Sequence, residues 1–165
     1  MNPKRIAAHL LAPEWLARRA FPRRTLERIA AAVKDSEKRH LGELRFAVEA
    51  GLPLAALARD LGPRARAEDV FAQLRVWDTE HNSGVLVYVQ LVDRKIEIVA
   101  DRGIAARVAQ HEWDAICRAM EGAFRARRFE AGALEAIDSI TRLLARHFPA
   151  RGERADELPD RPVVL

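Results

Sequence analysis

Two apolar runs joined by a short polar turn, in residues 84–104, restrict the fold more than any other stretch of the chain. The first run, Val85 to Val89, is apolar at every position, as in a strand that helices cover on both faces. The second run, residues 95–101, alternates apolar and polar side chains, as in a strand covered on one side. The Asp93-Arg94 pair between the runs predicts a tight turn, so the two strands should form a hairpin whose first strand is central.

Helical periodicity and strand alternation divide the rest of the chain into further elements. A strand is expected over Glu43 to Glu49, because Gly42 ends the preceding helix and the apolar side chains then alternate. Helices are expected at about residues 13–19, 22–41, 65–77, 112–127 and 130–147. A strand, a helical crossover and a parallel strand, with helices for both faces, predict an α/β fold: a three-layer α/β/α sandwich around a small mixed sheet of three to four strands.

The length of 165 residues, with 49% hydrophobic and 32% charged residues, fits one globular domain with a sizeable core. We expect a basic helical extension over residues 1–24, the α/β/α domain over 25–150 and a tail over 151–165. No apolar run approaches the roughly 18 residues of a membrane-spanning helix and no signal peptide is recognisable, so we expect a cytoplasmic location. The single cysteine, Cys117, excludes an internal disulfide and a multi-thiolate metal site.

The formal net charge of +4 is concentrated near the amino terminus, where residues 1–40 hold ten Lys or Arg and four Asp or Glu. A solvated face of the first helices explains this excess best, and we expect no binding to nucleic acid. Peripheral contact of the basic N-terminal helices with a membrane is the weaker alternative. The apolar end of the tail, Val163 to Leu165, is expected to dock on the domain, with capture of a partner as the alternative.

Several oxygen-bearing side chains should meet at one edge of the sheet. The hairpin brings Asp101, at the end of the second run, beside the start of the first run. The loop before that start carries Asp78, Glu80 and Asn82, and Glu43 joins them if its strand is parallel to the central one. Carboxylate and carbonyl oxygens from irregular loops are the ligands that Ca²⁺ and Mg²⁺ prefer. The sequence therefore predicts a candidate divalent-cation site at this edge.

Turn and capping chemistry is the alternative explanation of the same residues. Asp78 and Asn82 suit turns, and Asp101 suits the N-cap of a helix that opens at Gly103, because its carboxylate accepts from free backbone N–H groups. The chain has no GxSxG, no Gly-rich phosphate loop, no HExxH and no CxxC. A phosphate would have to be held by Arg102, next to Asp101, or by Arg94, which lies at the turn on the opposite edge.

The order of these motifs resembles the TPM domain family. The resemblance covers roughly residues 25–150 and rests on GVLVYV, DRKIEIVADRGI, a helix with Trp113 and then FEAGALEAI, its most specific part being residues 82–104. It implies a Rossmann-like α/β/α sandwich, and relatives are described as binding calcium or another divalent cation, or as acid phosphatases. We expect two departures from the family: the absence of the signal peptide and membrane anchor that many relatives have, and the absence of a glycine that the family often shows near Asp101. The positions that the resemblance carries over are Asp78, Asn82, Asp93, Arg94 and Asp101.

Two functions follow from these observations. The first is a domain that binds a divalent cation and acts as an adaptor or stability factor for another protein, whose identity the sequence does not indicate. The alternative is a weak metal-dependent acid phosphomonoesterase, in which a cation at Asp78 and Asp101 activates water and Arg102 holds the phosphate. We favour binding, because no nucleophile or proton relay is evident in the sequence.

Overall fold

The computed structural model describes residues 3–13, 15–150 and 157–165. Its sheet has four strands in the order β3-β2-β1-β4, with β1 at Glu43–Glu49, β2 at Gly84–Gln90, β3 at Lys95–Ala100 and β4 at Val163–Val164. Strand β1 is parallel to β2 and to β4, whereas β2 and β3 form the antiparallel hairpin. Every residue of β1 and β2 is buried, which confirms that the continuous apolar run is a central strand.

Eight helices lie within the described residues. The amino-terminal three are α1 (Pro3–Leu10), α2 (Trp15–Ala20) and α3 (Arg23–Glu37). The crossover from β1 to β2 contains α4 (Leu54–Ala58) and α5 (Pro63–Gln73). The hairpin is followed by α6 (Arg102–Ala105), α7 (Gln110–Arg125) and α8 (Phe129–His147).

The two faces of the sheet carry separate apolar clusters, because side chains alternate along each strand. Leu44, Phe46 and Val48 of β1 point to the larger cluster, which contains side chains of α3, α7 and α8. Ala47 points to the opposite face, where α5 covers a smaller cluster with Leu86, Tyr88 and Val99. Helices on both faces of a mixed sheet confirm the three-layer α/β/α sandwich.

The segments before and after the predicted domain both contribute to the fold. Phe21, which precedes α3, is fully buried, and its ring lies 5.9 Å from that of Phe46 and 5.7 Å from that of Phe124. At the other end of the chain, β4 pairs with β1, and Leu165 N–H donates to the carbonyl of Val48 at 2.9 Å. The expected docking of the apolar tail is therefore confirmed, and it takes the form of a fourth strand.

Sequence patterns found every long element and some of the short ones. Helix α2 was expected near residues 13–19 and α6 from the capping role of Asp101, whereas α1, α4 and β4 were not predicted as separate elements, because such short segments leave few periods to recognise. Across residues 3–13, 15–150 and 157–165, no helix combines the length and apolar character needed to cross a bilayer.

The register of the sheet defines two ends that matter for function. We call the end where β1 and β2 begin the amino-terminal edge; Glu43, Gly84 and Asp101 lie there. We call the end where β1 and β2 finish the carboxyl-terminal edge; it includes Glu49, Gln90 and the turn at Asp93-Arg94.

Candidate functional site

Three residues form a row across the sheet at the amino-terminal edge. Glu43 pairs with Gly84 in the parallel register of β1 and β2. Asp101 continues the antiparallel register of β3 and donates its N–H to the Gly84 carbonyl at 2.8 Å. Neighbouring residues in register point to the same face of a sheet. The structure thus places Glu43 and Asp101 on one face of one edge, as their positions in the predicted strands require.

Gly84 leaves the middle of this row without a side chain. A Cβ atom at this position would lie 1.9 Å from the carbonyl oxygen of Val76, so no other residue fits. The Val76 carbonyl consequently lies directly over Gly84. Backbone and carboxyl oxygens are therefore combined on the same face of the sheet.

Asp101 caps α6 with one of its two carboxylate oxygens. Its Oδ1 accepts from the N–H of Arg102 at 2.7 Å, so the capping role that the sequence offered is confirmed. Its Oδ2 is buried and has no hydrogen-bond partner among the described residues. The hydroxyl of Ser83, a residue that is only 4% exposed and precedes Gly84, is buried and unpartnered in the same part of the chain.

Asn82 shapes the loop that leads into β2. It has a left-handed backbone with φ of 51°, a conformation that Asn adopts more readily than most residues. Its carbonyl accepts from Gly103 N–H at 3.1 Å and its Oδ1 accepts from Arg102 Nε at 2.9 Å. A Cβ atom at Gly103 would lie 2.6 Å from the carbonyl oxygens of both Asn82 and His81, so this glycine permits the close approach of α6 to the loop.

Asp78 and Glu80 lie in the same loop and contact residues outside the row of Glu43 and Asp101. The Asp78 carboxylate is half-exposed and lies 3.6 Å from the guanidinium of Arg75, while Glu80 N–H donates to Glu157 at 2.7 Å. Within the described ranges, no three His, Cys, Asp or Glu side chains stand close enough together to hold a metal ion. A cation at this edge would therefore need backbone carbonyl or hydroxyl ligands beside the carboxylates.

The two candidate phosphate-binding arginines lie at opposite ends of β3. Arg102 follows Asp101 at the amino-terminal edge, where its Nε contacts Asn82. Arg94 lies in the turn before β3, at the carboxyl-terminal edge, with φ of 54°. The structure therefore separates Arg94 from Asp101 and leaves Arg102 as the arginine beside the acidic row.

Asp93, which the family resemblance singled out, has a structural role at the carboxyl-terminal edge. Arg5 of α1 donates to both of its carboxylate oxygens, at 3.0 and 2.8 Å, and His9 contacts Oδ1 at 3.1 Å. Burial alone would raise the pKa of Asp93, but the hydrogen bond from Arg5, with the contribution of His9, brings it below its usual value. Sequence reasoning missed both partners, because they precede Asp93 by more than eighty residues.

A buried charged cluster beneath α5 was also missed. The Arg66 guanidinium donates to both carboxylate oxygens of Glu49, at 3.1 and 2.6 Å, and the Tyr88 hydroxyl donates to Glu49 as well. Burial, followed by the neighbouring Glu49 carboxylate, raises the pKa of Tyr88 far above its ordinary value, so its hydroxyl stays a neutral donor. In the sequence, Glu49 is one of three charged residues of β1, with Glu43 and Arg45, and nothing there distinguishes it as the centre of a buried cluster.

Cys117 packs against the larger apolar cluster without being fully enclosed. Its side chain is half-buried, and burial followed by the nearby Glu97 raises the pKa of the thiol to about 12. A thiol with so high a pKa is almost entirely protonated at neutral pH and is a poor nucleophile or metal ligand. Cys117 therefore offers no catalytic group.

Comparison with known proteins agrees with the resemblance in residues 82–104. A family model described as the TPM domain matches residues 18–143. The solution structure of the BA42 protein from the psychrophilic bacterium Bizionia argentinensis is 30% identical to the chain, covers 86% of it and 92% of its own chain, and superposes with a TM-score of 0.73. The N-terminal domain of a protein from P. gingivalis, at 14% identity, covers 87% and 95% with a TM-score of 0.63 and shows the fold alone. No curated relative matches. The chain belongs to the TPM domain family.

Proposed function

We propose that the chain is a binding domain whose amino-terminal edge takes a divalent cation, Ca²⁺ or Mg²⁺, and that it acts as an adaptor or stability factor for a protein partner. The observation that supports this proposal most is the second carboxylate oxygen of Asp101, which is buried and has no partner among the described residues. A buried carboxylate oxygen without a donor is unfavourable. A bound cation would remove that penalty.

The surrounding oxygens suit a hard cation. Besides Asp101, the edge offers the buried hydroxyl of Ser83, the Glu43 carboxylate on the same row and the Val76 carbonyl over Gly84. Such a mixture of carboxylate, hydroxyl and carbonyl ligands is typical of calcium sites. Only two of these groups are carboxylates, and Arg102 brings a positive charge nearby, so we expect an affinity in the weak, millimolar range.

An exposed aromatic residue beside the site supports the adaptor role. Trp77 immediately precedes Asp78, is 47% exposed, and has the guanidinium of Arg75 at 5.8 Å from its ring centre. Tryptophan and arginine are the residues that most often dominate the binding energy of protein interfaces. A partner could thus contact this loop in a way that depends on the cation beneath it.

The experiment is thermal unfolding of the purified chain with and without millimolar Ca²⁺ or Mg²⁺. Binding to the folded state alone raises Tm, and we expect Asp101→Asn to abolish that rise while keeping the fold, because asparagine also caps helices. Ser83→Ala should reduce the rise without lowering Tm in the absence of metal, since it removes a buried hydroxyl that has no protein partner.

The matched control is Asp138→Asn, an exposed carboxylate on α8 that pairs with Arg142 in its own helix. This variant should respond to the cations like the parent. Asp93→Asn is unsuitable as a control because Arg5 and His9 hold that carboxylate. An unchanged Tm in both cations, or an Asp101→Asn variant that still responds, would overturn the cation site.

A metal-dependent phosphomonoesterase is the second candidate, and one observation favours it. Arg102 lies beside Asp101, and only its Nε and backbone N–H donate to described residues, which leaves the terminal guanidinium nitrogens for a phosphate. In this reading the cation activates the attacking water, so the activity would depend on the same cation. The melting experiment therefore also tests this alternative. If the cations do not change Tm, no hydrolysis is expected at this edge.

A further inference from the structure

An open cleft of about 1100 Å³ lies at the carboxyl-terminal edge, far from Asp101. Its walls come from α1 and α2, from the turn between β2 and β3, and from the end of α7. The sequence analysis singled out only one residue of this cleft, Arg94, and did so for a different site. The cleft belongs to none of the sites described above.

The cleft is strongly cationic. The residues that line it include five Lys or Arg and one carboxylate, that of Glu121, which is already paired with Lys95 at 3.4 Å and with Arg125 at 3.2 Å. Arg94 and Arg127 have no carboxylate within ion-pair distance among the described residues. Arg19 has its guanidinium 5.9 Å from the ring centre of Trp15, which also lines the cleft. The cleft therefore presents cations that the described part of the chain does not neutralise.

Two of these arginines occupy turn positions that would ordinarily favour glycine or asparagine. Arg94 has φ of 54° and Arg127 has φ of 59°, both in the left-handed region. A long side chain at such positions is strained, and strained residues cluster at functional sites. Both turns direct their cations to the same cleft.

Large apolar side chains surround the cleft on the outside. Leu10 and Leu11, which lie between lining residues of α1 and the following loop, are 53% and 80% exposed, and Trp15 is 55% exposed. Leu54, which begins α4 after the end of β1, is 70% exposed on the same edge, and the nearby Leu52 N–H donates to His9 Nδ1 of α1 at 3.1 Å. The edge thus combines unneutralised arginines with leucines and a tryptophan in water.

We propose that the carboxyl-terminal edge docks on a membrane surface that contains anionic phospholipid. Arginine and lysine are attracted to anionic headgroups, and leucine and tryptophan gain by entering the boundary between headgroups and acyl chains. A soluble anion would use the cations but would leave Leu10 and Leu11 in water. The bilayer satisfies both properties of the edge, which is why it fits better than a small anionic ligand.

The proposed membrane surface differs from the membrane contact that the sequence suggested, which involved the basic N-terminal helices alone. Four of the five cations in the cleft lie outside the N-terminal helices. Arg94 and Lys95 belong to the hairpin turn and the start of β3, and Arg125 and Arg127 lie at the end of α7 and just after it. The fold brings them next to α1 and α2. The row of Glu43 and Asp101 lies at the opposite end of the sheet, away from the proposed membrane surface, so the inference does not depend on the cation site.

The test is sedimentation of the full chain with vesicles of phosphatidylcholine alone and of phosphatidylcholine with about 30 mol% phosphatidylglycerol. We expect binding to the anionic vesicles only, with loss at about 0.5 M NaCl. Arg94→Asn with Arg127→Asn should lower the partition coefficient by roughly tenfold or more, since each cation near the surface contributes several-fold. Asparagine tolerates the left-handed backbone, so the fold should remain.

Leu10→Ser with Leu11→Ser keeps every charge and should also lower binding at least several-fold. The charge-matched control is Lys38→Gln with Arg142→Gln: both side chains are exposed, Lys38 pairs with Asp35 and Arg142 with Asp138, and neither residue lines the cleft. This control should bind like the parent.

Three results would overturn the proposal. The first is no sedimentation with anionic vesicles, and the second is an equal loss in the control variant. The third is saturable binding of a soluble inositol phosphate without vesicle binding, which would make the cleft a small-ligand site. Circular dichroism of each variant confirms that a loss of binding does not come from unfolding.

Discussion

At the scale of single residues, Asp93 shows how one carboxylate ties the first helix to the sheet. His9 is buried, its Nδ1 accepts from Leu52 N–H, and its Nε2 donates to Asp93. Arg5 supplies the second and third donors to the same carboxylate. Helix α1 is therefore held by hydrogen bonds to an ionised carboxylate, while Leu10 at its end and Leu11 just after it stay exposed.

The lowered pKa of Asp93 predicts a specific dependence of stability on pH. A carboxyl group whose pKa is lower in the folded than in the unfolded chain stabilises the fold above its unfolded value, about 4, and this contribution disappears as the pH falls through the folded value. We expect Asp93→Asn to lower the free energy of unfolding by about 1–3 kcal/mol at pH 7. The difference from the parent should shrink below about pH 4.

Urea unfolding of the parent and of Asp93→Asn at a series of pH values measures this contribution. Asp138→Asn, in an exposed pair within one helix, should differ little from the parent at any pH. A difference for Asp93→Asn that stays constant from neutral to acid pH would show that packing of α1, and not the ionised carboxylate, is responsible.

The roles and positions of some site residues could be predicted from their neighbours in the sequence. Asp101 precedes Arg102-Gly103 at the end of an alternating run, so the N-cap could be predicted from neighbouring residues, and the structure confirms it. The positions of Glu43 and Asp101 at one edge followed from the strand register. The donors to Asp93 could not be predicted, because a single sequence contains no signal that joins Arg5 to a turn 88 residues away.

At the scale of secondary structure elements, α5 is joined to the sheet by the buried cluster of Glu49, Arg66 and Tyr88. A helix that lies on the central strands would ordinarily present apolar side chains there, and α5 does so with Ala67 and Val70. Arg66 instead places a guanidinium against Glu49 of β1. Such a pair contributes little net stability compared with apolar residues of the same size, but it leaves a buried charge if one partner is removed.

This cluster gives a prediction for double substitution. Arg66→Met should lower the free energy of unfolding by about 3–5 kcal/mol, because the Glu49 carboxylate stays buried without its guanidinium. Arg66→Met with Glu49→Leu and Tyr88→Phe should be more stable than Arg66→Met alone, since no buried charge and no unpartnered hydroxyl remain.

The measurement is the urea midpoint at pH 7 for the parent, the single variant and the triple variant. Tyr88→Phe alone serves as the control for the loss of one hydroxyl and should be affected least. A triple variant that is less stable than Arg66→Met would mean that the cluster stabilises the fold directly.

The elements themselves were predictable to the extent that they were long and periodic. Strand β1 has the bounds that the alternation from Glu43 to Glu49 predicted, and α8 begins one residue before the predicted Glu130. The five residues of α4 and the two of β4 carry too little periodicity to be recognised. Strand β4 exists because its pairing with β1 covers an edge that would otherwise be open, and this depends on the whole fold.

At the scale of the whole molecule, the sheet separates the proposed cation site from the cationic cleft. The amino-terminal edge has the carboxylates of Glu43 and Asp101, and the carboxyl-terminal edge has the cationic cleft with Arg94 and Arg127. Strand β2 joins the two edges with seven residues, which span about 20 Å at the rise of a strand. Charges at that distance are largely screened at physiological ionic strength.

The distance between the two proposed sites gives a test against a module in which Ca²⁺ bridges protein carboxylates to lipid phosphates. If the cation binds at Asp101 and the bilayer binds at the opposite edge, then Asp101→Asn should sediment with anionic vesicles like the parent. Millimolar Ca²⁺ should weaken sedimentation slightly for both proteins, because it screens the headgroups and leaves the arginines unchanged. The measurement is vesicle sedimentation of both proteins with Ca²⁺ or with a chelator. Sedimentation that requires Ca²⁺ and is lost in Asp101→Asn would place cation and lipid at one edge, and the assignment of the arginine cleft to the bilayer would then be wrong.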